Sequence, residues 1–156
     1  MASVNPTTGA PLASPEPHTE RQLEDALATA AKAFERHRAL SFTERAVRMR
    51  RAGDLLERDV DAHAGQMTRE MGKPLSQARA EVKKCAWVCR YYAEHAETFL
   101  MDAPRQLDEN DRSFVAYEPL GPVLAIMPWN FPYWQVFRFA APTLMAGNVG
   151  LLKHAQ

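Results

Sequence analysis

The chain has 156 residues, 46% of them hydrophobic and 24% charged, a balance that suits one soluble globular domain with a single core. Lys plus Arg and Asp plus Glu number 19 each, so no net field favours a polyanion, which argues against nucleic acid as a partner. No apolar run approaches the roughly 20 residues of a membrane span.

Residues 1–17 are rich in Pro, Ser and Thr, and lack the charged region and apolar stretch of a secretory signal; the segment reads as extended or irregular. Thr19 and Gln22 form a capping-box pattern, and Leu23, Ala26, Leu27, Ala30 and Phe34 follow at helical spacing. Ser41 and Glu44 repeat the pattern. After them Phe42, Ala46, Met49, Gly53, Leu56 and Val60 line one face of a second helix, continued by Ala64, Met67 and Met71. The arginines of this stretch read as a solvated face, with Glu44 and Arg48, and Asp54 and Arg58, spaced for ion pairs along the helix. Gly72-Lys73-Pro74 is a stop signal. A third helix is predicted over 75–100, with an apolar stripe of Ala78, Val82, Cys85, Cys89, Tyr92, Ala96 and Phe99. Cys85 and Cys89 lie one helical turn apart, a poor geometry for a disulfide, so the chain reads as cytoplasmic and reduced.

The pattern then changes. Residues 102–111 form a polar connection, 113–117 favour a strand, and 118–122 are a turn. Residues 123–127 are a short apolar run of the kind a strand buried on both faces shows. Residues 128–132 break it, 133–146 read as a helix bent at Pro142 and closed by Gly147 and Asn148, and 149–153 are another short apolar run. Strand, helix and strand over about thirty residues make a βαβ unit of a parallel sheet. The fold class is therefore α/β, with a helical N-terminal region ahead of the βαβ unit.

Ligands of open α/β sheets gather at the carboxyl ends of parallel strands. The first strand runs into Trp129 and Asn130, the second into Lys153 and His154. An Asn amide can donate to a developing oxyanion, and a Lys can hold ribose hydroxyls or phosphate oxygens. By residue type and position alone the plainer reading is favoured, in which Asn130 serves the turn and Lys153 solvates a strand end. His18, His37, His63 and His95 show no metal-ligand spacing, and no metal site is expected.

The segment Gly121-Pro-Val-Leu-Ala-Ile-Met-Pro-Trp-Asn-Phe-Pro132, followed by Ala146-Gly147-Asn148 and Leu152-Lys153, resembles a motif of the aldehyde dehydrogenase superfamily. Upstream, Asn5-Pro6-Thr7-Thr8-Gly9 and Glu70-Met71-Gly72-Lys73-Pro74 resemble its opening and its Glu-x-Gly-Lys-Pro turn. Cys85-Ala86-Trp87, Tyr91-Tyr92 and the Lys-His-Ala ending look most like succinate-semialdehyde dehydrogenases. The resemblance implies that 112–156 begin a Rossmann-like dinucleotide-binding domain, with 1–103 as a mainly helical region before it.

By the same resemblance, Asn130 is the catalytic oxyanion amide, Met127 and Trp129 lie along a bound NAD or NADP, and Lys153 holds its adenine-side ribose. Gln156 stands where NAD-preferring members often carry a glutamate. Val149, Gly150 and His154 depart from the family's commoner residues. The implied function is oxidation of an aldehyde, succinate semialdehyde by likeness, to its acid, in a homo-oligomer that needs neither nucleic acid nor a membrane. The family's pyrophosphate-binding turn, general base and nucleophilic cysteine would all lie beyond Gln156. These residues are therefore expected to be a truncated front portion, inactive alone; the alternative is a non-catalytic remnant or helical interaction module. Cys85 and Cys89 are expected to be buried helix residues rather than the nucleophile.

Overall fold

The computed structural model describes residues 3–13, 16–105 and 113–155. Asn5 organises the first turn: its side-chain oxygen accepts from the Thr7 amide at 2.9 Å, and its carbonyl accepts from Gly9, whose φ is +70°. This turn joins two short antiparallel strands, β1 (Ser3–Val4) and β2 (Pro11–Leu12), so the segment expected to be irregular is a small hairpin.

Both capping boxes form. Thr19 with Gln22 starts α1 (Glu20–Arg38), and Ser41 with Glu44 starts α2 (Phe42–Arg58). The periodic pattern read as one long second helix is two, because the chain breaks at Asp59 before α3 (Val60–Met71). Arg58 folds onto Asp59 at 2.6 Å. The expected pairs along α2 are replaced by others: Glu44 turns back to Ser41, while Asp54 and Glu57 both reach Arg90 on the next helix. Gly72, at φ +71°, ends α3 in the left-handed conformation that a Cβ disfavours.

The next helix, α4 (Leu75–Phe99), is the spine of the core. Ala78, Val82, Cys85, Ala86 and Cys89 are fully buried on it. They meet Met49 and Leu56 of α2, Met67 of α3, and Ala141 and Met145 of the last helix. Gly53 of α2 permits this approach, since a Cβ there would lie 3.1 Å from the Ala86 carbonyl oxygen. Of the predicted stripe, Ala78, Val82, Cys85, Cys89 and Ala96 are buried, Tyr92 is half-buried and Phe99 is exposed.

Part of the predicted connection after α4 is a strand, β3 (Ala103–Arg105), which pairs antiparallel with β4 (Ser113–Val115). The βαβ unit follows as β5 (Pro122–Ile126), α5 (Trp134–Met145, with Pro142 inside it) and β6 (Val149–Lys153). β5 and β6 are parallel, with Pro122 opposite Val149 and Ile126 opposite Lys153. The fold is thus α/β: a helical N-terminal region leading into the first βαβ part of a Rossmann-like sheet.

Burial of these two strands on both faces, as their apolar runs suggest, does not hold among the described residues. Ala125 and Val149 are buried, whereas Leu124 is 61% and Ile126 69% exposed. Gly150, costly in a strand interior, faces a close neighbour: a Cβ there would lie 3.0 Å from the Phe139 ring of α5. Among the described residues no helix is long and apolar enough to cross a membrane.

Candidate active-site edge

The two parallel strands end together. Just past β5, the Met127 amide donates to the Lys153 carbonyl at 3.0 Å, extending the ladder by one bond. Trp129 and Asn130 come next in the loop, and Lys153 is the last residue of β6. Trp129 is 66% exposed, and Asn130 and Lys153 are exposed too. Asn130 makes no hydrogen bond with any described residue, so its amide donors are free for a ligand. Gln156 lies outside the described residues. Met127, Trp129, Asn130 and Lys153 therefore stand at one edge of one parallel pair, the end at which α/β sheets bind ligands.

Their chemistry suits a dinucleotide. An exposed ammonium can donate to ribose hydroxyls, an indole and a thioether offer flat apolar contact, and a carboxamide can donate to an oxyanion.

The loop's far side is held by residues that the sequence reading did not assign to the site. Glu81 of α4 is only 5% exposed, and its Oε1 accepts from the backbone amides of Tyr133 at 3.0 Å and Trp134 at 2.9 Å. These are the amides of the N-cap residue of α5 and of its first helical residue, and the N-cap side chain makes no capping bond of its own. The other oxygen of Glu81 pairs with the Lys73 ammonium, itself 8% exposed. Lys73 also lies 4.0 Å from the centroid of the Phe131 ring, next to Asn130. The Tyr133 hydroxyl meets His63 Nδ1 at 2.9 Å, and the Lys84 ammonium sits 3.9 Å above the Trp134 ring. One signal in the sequence marks Glu81: it is a carboxylate inside the apolar stripe, three residues after Ala78 and four before Cys85.

Lys73 is aimed by the turn that carries it. Gly72 closes α3 with a bond from its amide to Thr68 at 3.0 Å, and the Thr68 hydroxyl donates to the Lys73 carbonyl at 2.8 Å. On the opposite side of the βαβ unit, Asn148 Oδ1 accepts from Leu120 and Gly121, tying the start of β6 to the turn before β5.

Neither thiol is placed for nucleophilic chemistry. Burial pushes the Cys85 thiol up to about 12, with the Glu81 charge adding to the effect, and burial pushes Cys89 up to about 11. Among the described residues no group of three or more His, Cys, Asp or Glu is arranged to hold a metal ion.

Comparison with known proteins bears on the same residues. A family model described as "Aldehyde dehydrogenase family" matches residues 1–156. The chain is 52% identical over 155 residues to a probable succinate-semialdehyde dehydrogenase [NADP(+)] of Synechocystis sp., covering 99% of this chain and 34% of that protein. It is 50% identical over 157 residues to a succinate-semialdehyde dehydrogenase [NADP(+)] of Mycobacterium leprae, with the same coverage. The crystal structure of succinic semialdehyde dehydrogenase from Streptococcus pyogenes, in complex with NADP+, superposes with a TM-score of 0.93 at 34% identity. It covers 99% of this chain and 34% of that one. The chain thus spans about a third of the length of the relatives it matches.

Proposed function

Because this chain belongs to the aldehyde dehydrogenase family, we propose that it is the part of an NAD(P)-dependent aldehyde dehydrogenase that supplies the oxyanion amide and the ribose side of the cofactor crevice. The observation that carries this reading is the parallel pairing of β5 and β6, whose carboxyl ends meet at Met127 and Lys153. Asn130 donates its side-chain N–H to the aldehyde oxygen as that oxygen gains charge under nucleophilic attack. Lys153 donates to the ribose hydroxyls, while Met127 and Trp129 exclude water along the nucleotide. NAD or NADP supplies the acceptor for the substrate's hydride.

Succinate semialdehyde is the substrate we assign, and NADP is included as cofactor, because relatives at 50% identity and above bear both in their names. The enzyme in this reading is a cytoplasmic homo-oligomer, with its dinucleotide-binding domain beginning near residue 112. The nucleophile is neither Cys85 nor Cys89, the two cysteines of these 156 residues, since both are buried with raised pKa values. Residues 1–156 alone are therefore expected to show no turnover.

The test has two arms. The coding sequence around these residues is read for an in-frame segment bearing a further cysteine, and its full product is assayed with succinate semialdehyde and NADP. Residues 1–156 are assayed beside it. Aldehyde-dependent NADPH formation by the full product alone is the expected result. A full product without such activity, or turnover by the 156 residues alone, overturns the reading.

A further inference from the structure

The Asn130 loop has little to hold it in shape by itself. Pro128 and Pro132 lack amide hydrogens, and Asn130 makes no hydrogen bond among the described residues. Its anchor is the start of α5, where the amides of the N-cap residue Tyr133 and of Trp134 are capped by a carboxylate from a different helix, Glu81 of α4. A buried carboxylate needs a counter-charge, and Lys73 provides one from the turn after α3. The same ammonium lies against the Phe131 ring, next to Asn130. One buried pair therefore touches the loop twice, through the backbone after it and through the ring within it.

We infer that Glu81, held by Lys73, is a positioning residue: by capping α5 from α4 it fixes where the Asn130 amide stands relative to the reacting carbonyl. The inference rests on the reading of Asn130 as the oxyanion donor. Lys73 neutralises Glu81, and Glu81 supplies the acceptor. The acceptor is what orients the loop, so a neutral side chain that still accepts two amide hydrogens can replace the pair. An apolar side chain of the same length cannot. Displacing a donor by about 1 Å costs on the order of a hundredfold in rate, which sets the scale of the effect.

The experiment compares two double variants of the full-length enzyme, neither of which leaves a buried charge unpaired. Lys73→Met/Glu81→Gln keeps the acceptor, and Lys73→Met/Glu81→Met removes it. Asn130→Ala serves as the reference for the oxyanion role. The measurements are kcat, the KM for succinate semialdehyde, and NADP affinity from quenching of intrinsic fluorescence.

The expected result is that the Gln variant retains kcat within about threefold of the parent. The Met variant loses roughly ten- to a hundredfold in kcat, as a misplaced donor should, with KM and NADP affinity changed by no more than about threefold. Equal kcat in the two double variants, beside a slow Asn130→Ala, overturns the positioning role while leaving the oxyanion reading in place. A rise in KM and loss of NADP affinity that match the fall in kcat overturn it as well, because they mark general damage to the fold. Wild-type kcat in Asn130→Ala overturns the oxyanion reading and the inference with it.

Discussion

The side-chain oxygen of Asn148 accepts from the Gly121 amide at 3.0 Å, across 27 residues of sequence. The Leu120 amide donates to the same atom at 2.6 Å, so one carboxamide holds the turn that launches β5 against the start of β6. Asn148→Ala leaves both donors without that acceptor, and a destabilisation of about 2 kcal/mol is expected. Asn148→Asp keeps the acceptor and costs less. Chemical denaturation of the two variants gives the comparison.

Gly53 sets the spacing between α2 and α4. In Gly53→Val, the Cβ would stand 3.1 Å from the Ala86 carbonyl oxygen, with two methyl groups added in an already filled space. Overpacking of this kind costs typically 1–3 kcal/mol, offset only slightly by the better helix propensity of Val. The expected outcome is a lower melting temperature, while far-ultraviolet circular dichroism stays unchanged at low temperature.

The buried thiols make stability fall in alkali. Folding raises the Cys85 thiol to about 12 and Cys89 to about 11, so above their ordinary value near 9 the unfolded chain releases protons that the folded chain retains. The unfolded state then binds fewer protons, and unfolding becomes easier as the pH climbs from about 9 towards those raised values. Denaturation midpoints should drop over that window, and drop less in Cys85→Ala/Cys89→Ala. An equal slope in both proteins would show that other groups govern the alkaline limb.

Leu124 and Ile126 present an open apolar face on β5. With residues 1–156 expressed alone, this face and the unpaired strand edge favour association. Leu124→Ser/Ile126→Ser should reduce concentration-dependent light scattering of that polypeptide while changing its unfolding free energy by no more than about 0.5 kcal/mol per exposed site. Unchanged scattering would direct attention to the exposed aromatic residues of α4 instead.

Gln156 bears on cofactor choice through charge. If it lies by the ribose, as the family resemblance implies, a glutamate there would repel a 2′-phosphate where the neutral amide does not. Gln156→Glu in the full-length enzyme should therefore lower kcat/KM for NADP relative to NAD by at least about tenfold, equivalent to about 1.4 kcal/mol of charge repulsion. Steady-state kinetics with both cofactors decide it.

Local signals were the most legible in the sequence. The capping residues Thr19 and Ser41, the Gly72 stop and the period of α4 act over a few residues: each cap starts a helix, Gly72 ends one, and α4 runs where its period predicts. The break at Asp59 was hidden, because the apolar pattern continues in phase across it. β3 was hidden for a different reason: its residues pair with β4 across the chain and carry no strand pattern of their own. The site divides along the same line. Asn130 and Lys153 could be found from the strands that lead into them. Glu81 acts on amides 52 and 53 residues away, and no local spacing encodes such a partner.

The capping of α5 from α4 limits how this segment can be moved between proteins. Residues 127–134 look like a portable cassette, a strand end, a loop and a helix start. Grafted onto another α/β scaffold, they would arrive with two amides awaiting a carboxylate that the host does not place there. The smallest transplantable unit therefore includes α4 and the turn that carries Lys73. Recombination breakpoints between Lys73 and Trp134 should accordingly cost a hybrid chain the α5 cap wherever the two parents place that pair differently.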